Sequence, residues 1–381
     1  MTVILNVIDN PRAFWVVNSL FVFALSVFCA GVLIPQILLI SFRKRLFDVP
    51  DERKIHQGVV PRLGGIAFKP VVFFSVALAL GLNMLLGYGQ LLGNIGSESR
   101  PLAFGFCTIM MLYLVGMADD LIGIRYRAKF AIQIICGLLV IAGGLWINNL
   151  HGLLFIHALP EWIGYPITLF AVVFIINAIN LIDGIDGLAS GLCGVAMLFY
   201  GLVFLRIGEY IYALLAFATL GVLVPFFYYN VFGDPAKKNK IFMGDTGSLT
   251  IGMMTCILSL KLLNGFPVNP SMQQPNAFFL AYSPLIIPCF DVVRVYLHRV
   301  RNGKNPFLPD KNHIHHKMLA IGMKQRTAMI TIVLISVCFT LCNILLSRYI
   351  NVTLLLVLDI FIWTLGNLWL TRRIHIAHSK L

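Results

Sequence analysis

The sequence predicts an all-α, polytopic integral membrane protein with about eleven transmembrane helices. Two observations support this fold class. Of the 381 residues, 59% are hydrophobic and only 12% are charged, whereas a soluble domain carries about 25% charged residues. The apolar residues also fall into runs that are long enough to cross about 30 Å of hydrocarbon as helices. A soluble globular domain is therefore excluded.

The apolar runs place the predicted spans one by one along the chain. These spans lie at 14–41, 66–92, 102–118, 129–147, 165–181, 188–205, 209–229, 248–264, 276–297, 327–347 and 351–370. The first run continues from Phe14 to Phe42 and is far longer than the apolar core of a signal peptide, which has about 7–15 residues. It therefore predicts a retained first span.

Lysine and arginine are distributed unevenly between the loops. When alternate loops are assigned to opposite faces, 23 of the 29 Lys and Arg residues fall on one face and five on the other, while Lys69 lies within a span. The positive-inside rule then predicts an N-terminus outside and a cytoplasmic C-terminus. A basic membrane face suits anionic lipid headgroups and phosphorylated ligands. Nucleic acid is a poor partner, because these short loops lack interleaved aromatic residues that stack on bases.

The first polar cluster comes at the cytoplasmic end of the third span. Asp119 and Asp120 are adjacent there, and Lys129 follows at the start of the fourth span. Adjacent carboxylates repel each other, and a divalent cation or a proton relieves the repulsion. Neighbours on a helix point about 100° apart, so one of the pair is free to ligate a metal and the other to act as base or orienter. An ion pair from Asp120 to Arg125 or Arg127 is the alternative.

The second cluster follows the almost wholly apolar fifth span. Asn180, Asp183 and Asp186 stand at successive i, i+3 positions and share one face if the helix continues to residue 187. Polar groups at the end of a membrane-length segment are a functional hypothesis by default. A polar helix end that only caps itself in water is the alternative.

The third cluster opens the eighth span. Asn230 ends the seventh span, a polar insert covers 233–240, and Gly244-Asp245-Thr246-Gly247-Ser248 follows. Exposed amides at a helix N-terminus beside a metal-ligating carboxylate suit a pyrophosphate. As a simple N-cap, Asp245 needs no ligand. The first loop ends in Gly64-Gly65, which offers further amides to phosphate oxygens or merely belongs to a membrane anchor.

The last cluster lies in the longest cytoplasmic loop. Arg301 ends the ninth span, and His313, His315 and His316 follow closely. The histidines suggest a transition-metal site, but no cysteine is available in that loop to complete a closed zinc site. In a site rich in carboxylates, histidines more plausibly donate hydrogen bonds to phosphate or sugar oxygens. A solvated loop is the remaining alternative.

All of these clusters fall on the cytoplasmic ends of different spans. Carboxylates, cations and one divalent metal ion suit phosphoryl transfer, in which catalysis is positioning plus charge neutralisation. Oxygen ligands favour Mg²⁺, with Mn²⁺ as the alternative. We interpret 1–381 as a single transferase domain whose catalytic face consists of cytoplasmic loops 42–65, 119–129, 180–187, 230–248 and 298–326.

In their order along the chain, the motifs resemble those of the polyprenyl-phosphate N-acetylhexosamine-1-phosphate transferases, of glycosyltransferase family 4 type. The motifs are Asp119-Asp120 with Lys129, Asn180-Leu-Ile-Asp183-Gly-Ile-Asp186-Gly-Leu, Met243-Gly-Asp245-Thr-Gly-Ser248 and His313-Ile-His315-His316. The resemblance implies a Mg²⁺-dependent transfer of a sugar-1-phosphate from a UDP-N-acetylhexosamine to undecaprenyl phosphate, with UMP released. It also implies a bacterial cytoplasmic (inner) membrane location and an active site that faces the cytoplasm.

The histidine motif and Asn305-Pro-Phe-Leu-Pro-Asp310 look more like the branch that starts O-antigen, enterobacterial common antigen or teichoic acid linkage synthesis. This branch favours N-acetylglucosamine-1-phosphate as the transferred group, in the first step of a cell-envelope polysaccharide pathway. UDP-FucNAc, UDP-QuiNAc and UDP-MurNAc-pentapeptide stay open as alternative donors. The insert 233–240 departs from the family pattern.

The resemblance also implies roles for single residues. The catalytic residues are Asp119, Asp120, Asp183 and Asp245, and the metal ligands are Asp245 and Asn180. The substrate-binding residues are Lys129, Asp186, Asn230, Arg301, His313, His315 and His316. Either Asp119 or Asp120 deprotonates or orients the lipid phosphate, and a route through an aspartyl-phosphate stays open.

A transporter or flippase is the main rival class. Coupled transporters place ionisable groups near the bilayer midplane, on broken helices in repeated halves. Here the acidic residues cluster at one surface and no repeat is evident. The resemblance implies the UDP-N-acetylhexosamine, undecaprenyl phosphate and membrane lipids as partners, and a homodimer stays open.

Overall fold

The computed structural model describes residues 11–46, 60–88, 95–265, 276–305 and 312–378. Its helices are α1 (Pro11–Lys44), α2 (Phe68–Leu85), α3 (Ile95–Ile122), α4 (Tyr126–Ala142), α5 (Glu161–Ile182), α6 (Leu188–Ile207), α7 (Tyr210–Val231), α8 (Gly244–Gly265), α9 (Ala277–Tyr282), α10 (Ile286–Arg301), α11 (Ile314–Ala320), α12 (Gln325–Leu346) and α13 (Val352–His378). Short 3₁₀ turns cover Gly64–Ala67, Leu153–Phe155, Pro235–Lys237 and Ser283–Leu285. Within these ranges no β-strand forms, so the all-α prediction is confirmed.

In the described ranges, ten helical segments are long and apolar enough to cross a membrane, which confirms a multi-pass membrane protein. Ala277–Arg301 is one of these segments and joins α9 to α10. The predicted fourth span, 129–147, corresponds to α4, which has only 17 residues. That length is at the lower limit for a transmembrane helix.

Helix α8 lies at the centre of the bundle. All residues of its most apolar window are buried, although its mean hydropathy of 1.4 is the lowest of the ten segments. Helices α3 and α5 pack against it. Small residues permit the close approach: a Cβ built on Gly252 would lie 3.2 Å from Cα of Ile176 on α5. Other helices, not lipid, therefore cover α8.

The outer helices show the opposite pattern. Helices α1, α12 and α13 each bury only 28% of their most apolar window. Their exposed side chains are large and apolar, for example Leu20, Phe28, Leu334, Leu345, Phe361 and Leu368. An apolar outer surface is what hydrocarbon requires of a helical bundle.

Glycines let backbones meet at the first turn of α8. A Cβ built on Gly65 would lie 2.0 Å from the backbone nitrogen of Gly247, and one on Gly116 would lie 2.5 Å from Cα of Thr246. Any side chain at either glycine would push the 3₁₀ turn or α3 away from α8. The first turn of α8 is thus fixed by direct backbone packing.

The predicted role of Gly64-Gly65 as a source of free amides is wrong. The Gly64 amide donates to the Phe242 carbonyl and the Gly65 amide to the Met243 carbonyl, each at 3.0 Å. Both amides therefore align the segment before α8. Residues 47–59 of the predicted catalytic loop 42–65 lie outside the described residues, as do residues 306–311 of the histidine loop.

An ionic cluster surrounds Lys261 near the C-terminal end of α8. Lys261 Nζ lies 2.8 Å from Glu98 Oε1 and 3.1 Å from Glu209 Oε1. The Tyr212 hydroxyl donates to Glu98 Oε2 at 2.7 Å, and the Tyr212 ring centroid is 4.8 Å from Lys261 Nζ. The sequence reading found no comparable cluster on this side, because the two glutamates are 111 positions apart.

Candidate active site

Asp245, in the first turn of α8, is the meeting point of three helices. Its Oδ2 lies 2.7 Å from Lys129 Nζ of α4. Its Oδ1 accepts a hydrogen bond from Asn180 Nδ2 of α5 at 3.3 Å. Lys129 Nζ also lies 3.0 Å from Asp119 Oδ2 at the end of α3. Four of the predicted site residues are therefore joined by direct contacts.

Asp120 has a different place from its neighbour Asp119. Its Oδ1 accepts from the Asp245 amide at 2.8 Å, and its Oδ2 accepts from the Thr246 amide at 2.9 Å and the Thr246 hydroxyl at 2.6 Å. A carboxylate at a helix N-terminus satisfies free amides and complements the helix dipole. Asp120 therefore caps α8 from another helix.

This capping corrects two expectations. The amides of Asp245 and Thr246 were expected to be free for a pyrophosphate, but Asp120 already accepts both hydrogen bonds. The alternative that Asp245 is itself the N-cap is also wrong, since Asp245 lies inside α8, which begins at Gly244. Asp119 instead accepts from the Ile124 amide at 2.7 Å and keeps its second oxygen for Lys129.

Helix α5 ends too early for Asn180, Asp183 and Asp186 to share the one helical face that was predicted. The helix ends at Ile182, and Asp183 is its C-cap with φ −74° and ψ 54°. Gly187, with φ +79°, then directs the chain into α6, a conformation that glycine adopts without a steric cost. Asn180 and Asp183 are thus at a helix end, whereas Asp186 lies in the following turn.

Asn180 also fixes α5 to α8. Its Nδ2 donates to Ser248 Oγ at 2.8 Å, and the Ser248 hydroxyl donates to the Gly244 carbonyl at 3.0 Å. These bonds orient the carboxamide beside Asp245. Asp183 is exposed in the same region.

Asp186 forms an ion pair that the sequence reading missed. Its Oδ2 lies 2.6 Å from Lys240 Nζ, and both side chains are largely buried. Lys240 closes the insert 233–240, which was identified only as a departure from the family pattern. The available signal was a lysine directly before the apolar Ile241-Phe242-Met243 run.

Asn230 contacts backbone on both sides of its amide. Its Oδ1 accepts from the Gly187 amide at 2.7 Å, and its Nδ2 donates to the Ile241 carbonyl at 2.8 Å. The side chain is 5% exposed. Asn230 therefore holds the turn before α6 against the segment that leads into α8.

A buried carboxylate positions the histidine helix. Asp291 of α10 is 0% exposed, and its Oδ2 lies 2.8 Å from His313 Nδ1. Its Oδ1 accepts from the Ile314 amide at 3.0 Å and from Arg294 Nη2 at 2.7 Å. Asp291 thus caps α11 and orients the His313 ring, as carboxylate partners of functional histidines do. The sequence pattern did not indicate this role for Asp291.

His315 connects α11 to the turn after α5. A Cβ built on Gly184 would lie 2.2 Å from His315 Nε2, so only glycine leaves room for this ring. The ring lies between those of His313, with centroids 5.8 Å apart, and His316, with centroids 4.2 Å apart. The histidine cluster therefore adjoins the Asp183–Asp186 turn.

The His315 ring is 1% exposed, and neither ring nitrogen has a hydrogen-bond partner in the described part of the chain. Burial, and then the charges of His316 and His313, lower the pKa of His315 to about 3. A neutral imidazole carries one donor and one acceptor nitrogen. Buried polar groups of this kind are normally paired, so these two nitrogens are suited to a ligand.

Arg301 lies apart from these contacts. It is the last residue of α10 and is exposed. Among the described residues, no hydrogen bond or ion pair joins it to the acidic residues or to the histidines. The structure therefore brings together the acidic, amide, lysine and histidine residues that were predicted, but not Arg301.

The acidic residues are suited to a hard divalent cation whose coordination shell is completed by a bound ligand. Among the described residues, no group of three or more His, Cys, Asp or Glu side chains is close enough to hold a metal ion. The Lys129 ammonium lies between the carboxylates of Asp119 and Asp245, so this position attracts positive charge. Mg²⁺ commonly takes one or two protein carboxylates and completes its shell with phosphate oxygens and water. The donor set fits that pattern.

A bundle of membrane-spanning helices with an acidic, cation-attracting centre at one end defines a membrane-embedded enzyme that handles charged substrates. Comparison with known proteins identifies its family. The family model for glycosyl transferase family 4 matches residues 102–263. The chain belongs to that family, as its relatives also indicate.

One relative is a Bacillus subtilis (strain 168) protein described as a probable undecaprenyl-phosphate N-acetylglucosaminyl 1-phosphate transferase. It is 30% identical over 347 residues, which cover 89% of this chain and 88% of that protein. The undecaprenyl-phosphate alpha-N-acetylglucosaminyl 1-phosphate transferase of Yersinia pestis is 31% identical over 319 residues, 81% of this chain and 79% of that protein. The protein of the same description from Escherichia coli (strain K12) is 31% identical over 298 residues, with coverages of 76% and 73%.

Proposed function

We propose that this protein transfers N-acetylglucosamine-1-phosphate from UDP-N-acetylglucosamine to undecaprenyl phosphate. The products are undecaprenyl-pyrophosphoryl N-acetylglucosamine and UMP, in the first step of a cell-envelope polysaccharide pathway. The observation that carries the proposal is the contact of Asp119, Lys129, Asn180 and Asp245, from four helices, at one end of the bundle. The names of the relatives support undecaprenyl phosphate as the acceptor and N-acetylglucosamine-1-phosphate as the transferred group, and the UDP donor follows from the resemblance of the motifs.

Charge neutralisation is the main requirement of this reaction. A diphosphate and a lipid phosphate must approach each other, and their negative charges oppose the attack. Asp245 and Asn180 would hold Mg²⁺, which supplies positive charge at the diphosphate when bound. Lys129 would bind a phosphate oxygen with its ammonium, once it turns from the carboxylates that it now joins.

In the proposed chemical step, an oxygen of the lipid phosphate attacks the β-phosphorus of the nucleotide sugar. The bond between the β-phosphorus and the bridging oxygen breaks, and UMP leaves with that oxygen. A phosphate monoester has a second pKa near about 6, so the nucleophile is largely deprotonated at neutral pH. We assign the orienting or proton-accepting role to Asp119, because Asp120 is used as the cap of α8.

The remaining residues are proposed to bind the nucleotide sugar. Asp186 lies beside the Lys240 ammonium, and Asn230 acts by fixing the backbone at Gly187. His313 and His315 present imidazoles to phosphate or sugar oxygens, and we assign His316 and Arg301 to the same substrate. Asp183 adds negative charge beside the proposed metal position.

We also propose that this face of the protein lies in the cytoplasm and that the membrane is the bacterial inner membrane. The 23 Lys and Arg residues of one predicted face, against five on the other, support this orientation. A nucleotide sugar is a cytosolic substrate, so the reaction centre must open on that side. The N-terminus is then outside.

A single assay tests the proposed function. The purified protein is incubated with Mg²⁺ or Mn²⁺, undecaprenyl phosphate and labelled UDP-N-acetylglucosamine, and UMP and labelled lipid are measured. We expect both products in equal amounts. A panel with UDP-FucNAc, UDP-QuiNAc and UDP-MurNAc-pentapeptide identifies the donor, and a protein that yields UMP from none of them is not this transferase. A phosphorylated Asp119, trapped in the absence of the lipid, would refute direct attack.

A further inference from the structure

Lys69 lies within the membrane-spanning segment Gly64–Leu85, and the proposed reaction gives it no role. Ionisable side chains within membrane-spanning segments are costly and rare. Such a residue therefore indicates a function, and the question is which partner offsets its charge.

Among the described residues, the Lys69 ammonium contacts a thioether and two aromatic rings. Its Nζ lies 2.7 Å from the Met110 thioether, 4.9 Å from the ring centroid of Phe73 and 5.4 Å from that of Tyr113. Phe73 is one turn further into the span than Lys69. The side chain thus turns away from the helix end, although lysines near helix ends usually extend to the membrane surface.

These contacts leave the ammonium incompletely satisfied. It has three N–H donors, and a thioether is a weak acceptor. Each aromatic face attracts the cation through its ring quadrupole. Lys69 forms no salt bridge with a carboxylate of the described residues. Donors therefore remain for an anion that the described part of the chain does not provide.

The position of the ammonium determines where such an anion comes from. Met110 and Leu114 on α3 are 42% and 47% exposed, and Phe74 on α2 is 53% exposed. Exposed apolar residues of membrane-spanning segments face lipid. The cleft between α2 and α3 at Lys69, which we call the Lys69 cleft, thus opens towards the bilayer.

The Lys69 cleft is also connected to the reaction centre. The Tyr113 hydroxyl donates to the Ile66 carbonyl at 3.2 Å, in the 3₁₀ turn that packs on the first turn of α8. Helix α3 continues from Met110 to Asp119, a distance of roughly 14 Å at 1.5 Å per residue. An anion at Lys69 would thus lie within a short path of the proposed nucleophile position.

We propose that the Lys69 cleft binds the phosphate of the prenyl phosphate acceptor before the acceptor reaches Asp119, an inference that rests on the proposed function. A glycerophospholipid carries its phosphate above a polar glycerol backbone and two chains, which keep it at the interface. A prenyl phosphate carries a dianion at the end of one apolar chain. It can therefore follow a narrow apolar cleft to an ammonium below the surface.

The experiment compares Lys69→Met, Lys69→Arg and the wild type in nanodiscs of neutral phosphatidylcholine. Methionine keeps the length of the side chain and removes its charge. Lys69→Met removes the charge-assisted hydrogen bond proposed for the phosphate, so it is expected to raise KM for undecaprenyl phosphate about tenfold. KM for UDP-N-acetylglucosamine and kcat at saturating lipid should stay the same, and Lys69→Arg should restore KM. The exposed Arg372 of α13 lies outside the proposed catalytic loops and provides the control, Arg372→Met, with unchanged KM.

Three results would overturn the inference. These are an unchanged lipid KM in Lys69→Met, an equal rise in both KM values, or a lower Tm that accounts for the loss. If phosphatidylglycerol in the nanodisc abolishes the difference between wild type and Lys69→Met, the cleft holds a phospholipid and the assignment to the acceptor is wrong. Retention of undecaprenyl phosphate, measured by native mass spectrometry, tests the cleft without turnover. A wild type that makes no UMP but binds the prenyl phosphate through Lys69 would refute the proposed function and leave the cleft supported.

Discussion

The two ends of α8 carry the same ionic motif in different surroundings. At one end, Lys129 lies between Asp119 and Asp245. At the other end, Lys261 lies between Glu98 and Glu209. In each case one lysine joins two carboxylates that come from different parts of the chain.

The surroundings separate a structural cluster from a functional one. The Lys261 side chain is 9% exposed, and a tyrosine hydroxyl and ring complete its cluster. The Lys129 side chain is 24% exposed, whereas the carboxylates are similarly exposed at the two ends, 16% and 27% here and 22% and 26% at the other. Asp183 and the His315 ring, which has no hydrogen-bond partner in the described part of the chain, add further polar groups only at the Lys129 end. A closed, satisfied cluster stabilises helix packing, whereas an open cluster with surplus carboxylate is prepared for a ligand.

The largest expected effect is the loss of the charge on Asp245. Asp245→Asn keeps the shape of the side chain but removes a proposed ligand of the metal ion and a partner of Lys129. UMP release is expected to fall about a thousandfold, with the Tm within a few degrees of wild type. If the variant keeps more than a tenth of wild-type kcat, the Asp245 cluster has a structural role like that of the Lys261 cluster, and no catalytic one.

Exchange of the two lysines for methionine gives the most direct comparison. Lys129→Met should lower kcat about a hundredfold and change the Tm less than Lys261→Met does, because the Lys129 side chain is 24% exposed and the Lys261 side chain only 9%. Lys261→Met removes the more buried cation and leaves Glu98 and Glu209 to repel each other. It should therefore lower the Tm and keep the turnover of the folded fraction. Similar profiles for the two variants would contradict the distinction.

A smaller effect is expected at the contact between Gly184 and His315. In Gly184→Ala, the new methyl group occupies the space of the imidazole, so α11 must shift from the turn after α5. KM for the nucleotide sugar is expected to rise about tenfold. Gly194→Ala is the matched control, because its Cβ would lie no closer than 3.8 Å to a neighbour. In a Gly184→Ala/His315→Ala double variant, additive losses would show that the two residues act separately.

The smallest effect concerns pH. Burial, and then the charge of Arg294, lower the pKa of Lys317 on α11 from 10.5 to about 8. The folded protein thus loses this proton at a lower pH than the unfolded chain, so stability should rise as pH increases from about 8 to about 10. Thermal unfolding in that range should show this slope in the wild type and a weaker one in Lys317→Met. An identical slope in both proteins would assign the effect to other groups.

The sequence alone predicted the fold class and most of the residues of the site. Charged and amide residues are so rare in this chain that those at the helix ends stood out, and their costs in a membrane made them functional candidates. The motif order then predicted the family. Local pattern did not predict the roles within the site, since these depend on which helix ends meet.

Asp119 and Asp120 illustrate this limit. Their identical chemistry and adjacent positions gave no basis for choosing between them, and only the packing of α3 on α8 made Asp120 the cap. Lys240 and Asp291 were missed for the same reason, because their partners Asp186 and His313 are distant in sequence. The early end of α5 at Ile182 likewise depends on the turn that Asn230 holds from α7.

The burial of α8 has a consequence for how the protein is made. Its mean hydropathy is the lowest of the ten segments, and its serine and threonine hydroxyls gain nothing from lipid. Such a helix partitions weakly by itself and is retained by contacts with α3 and α5, which leave the ribosome earlier. The segment that bears Asp245 thus enters the bilayer with help from helices already inserted. The reaction centre therefore forms while the helical bundle assembles.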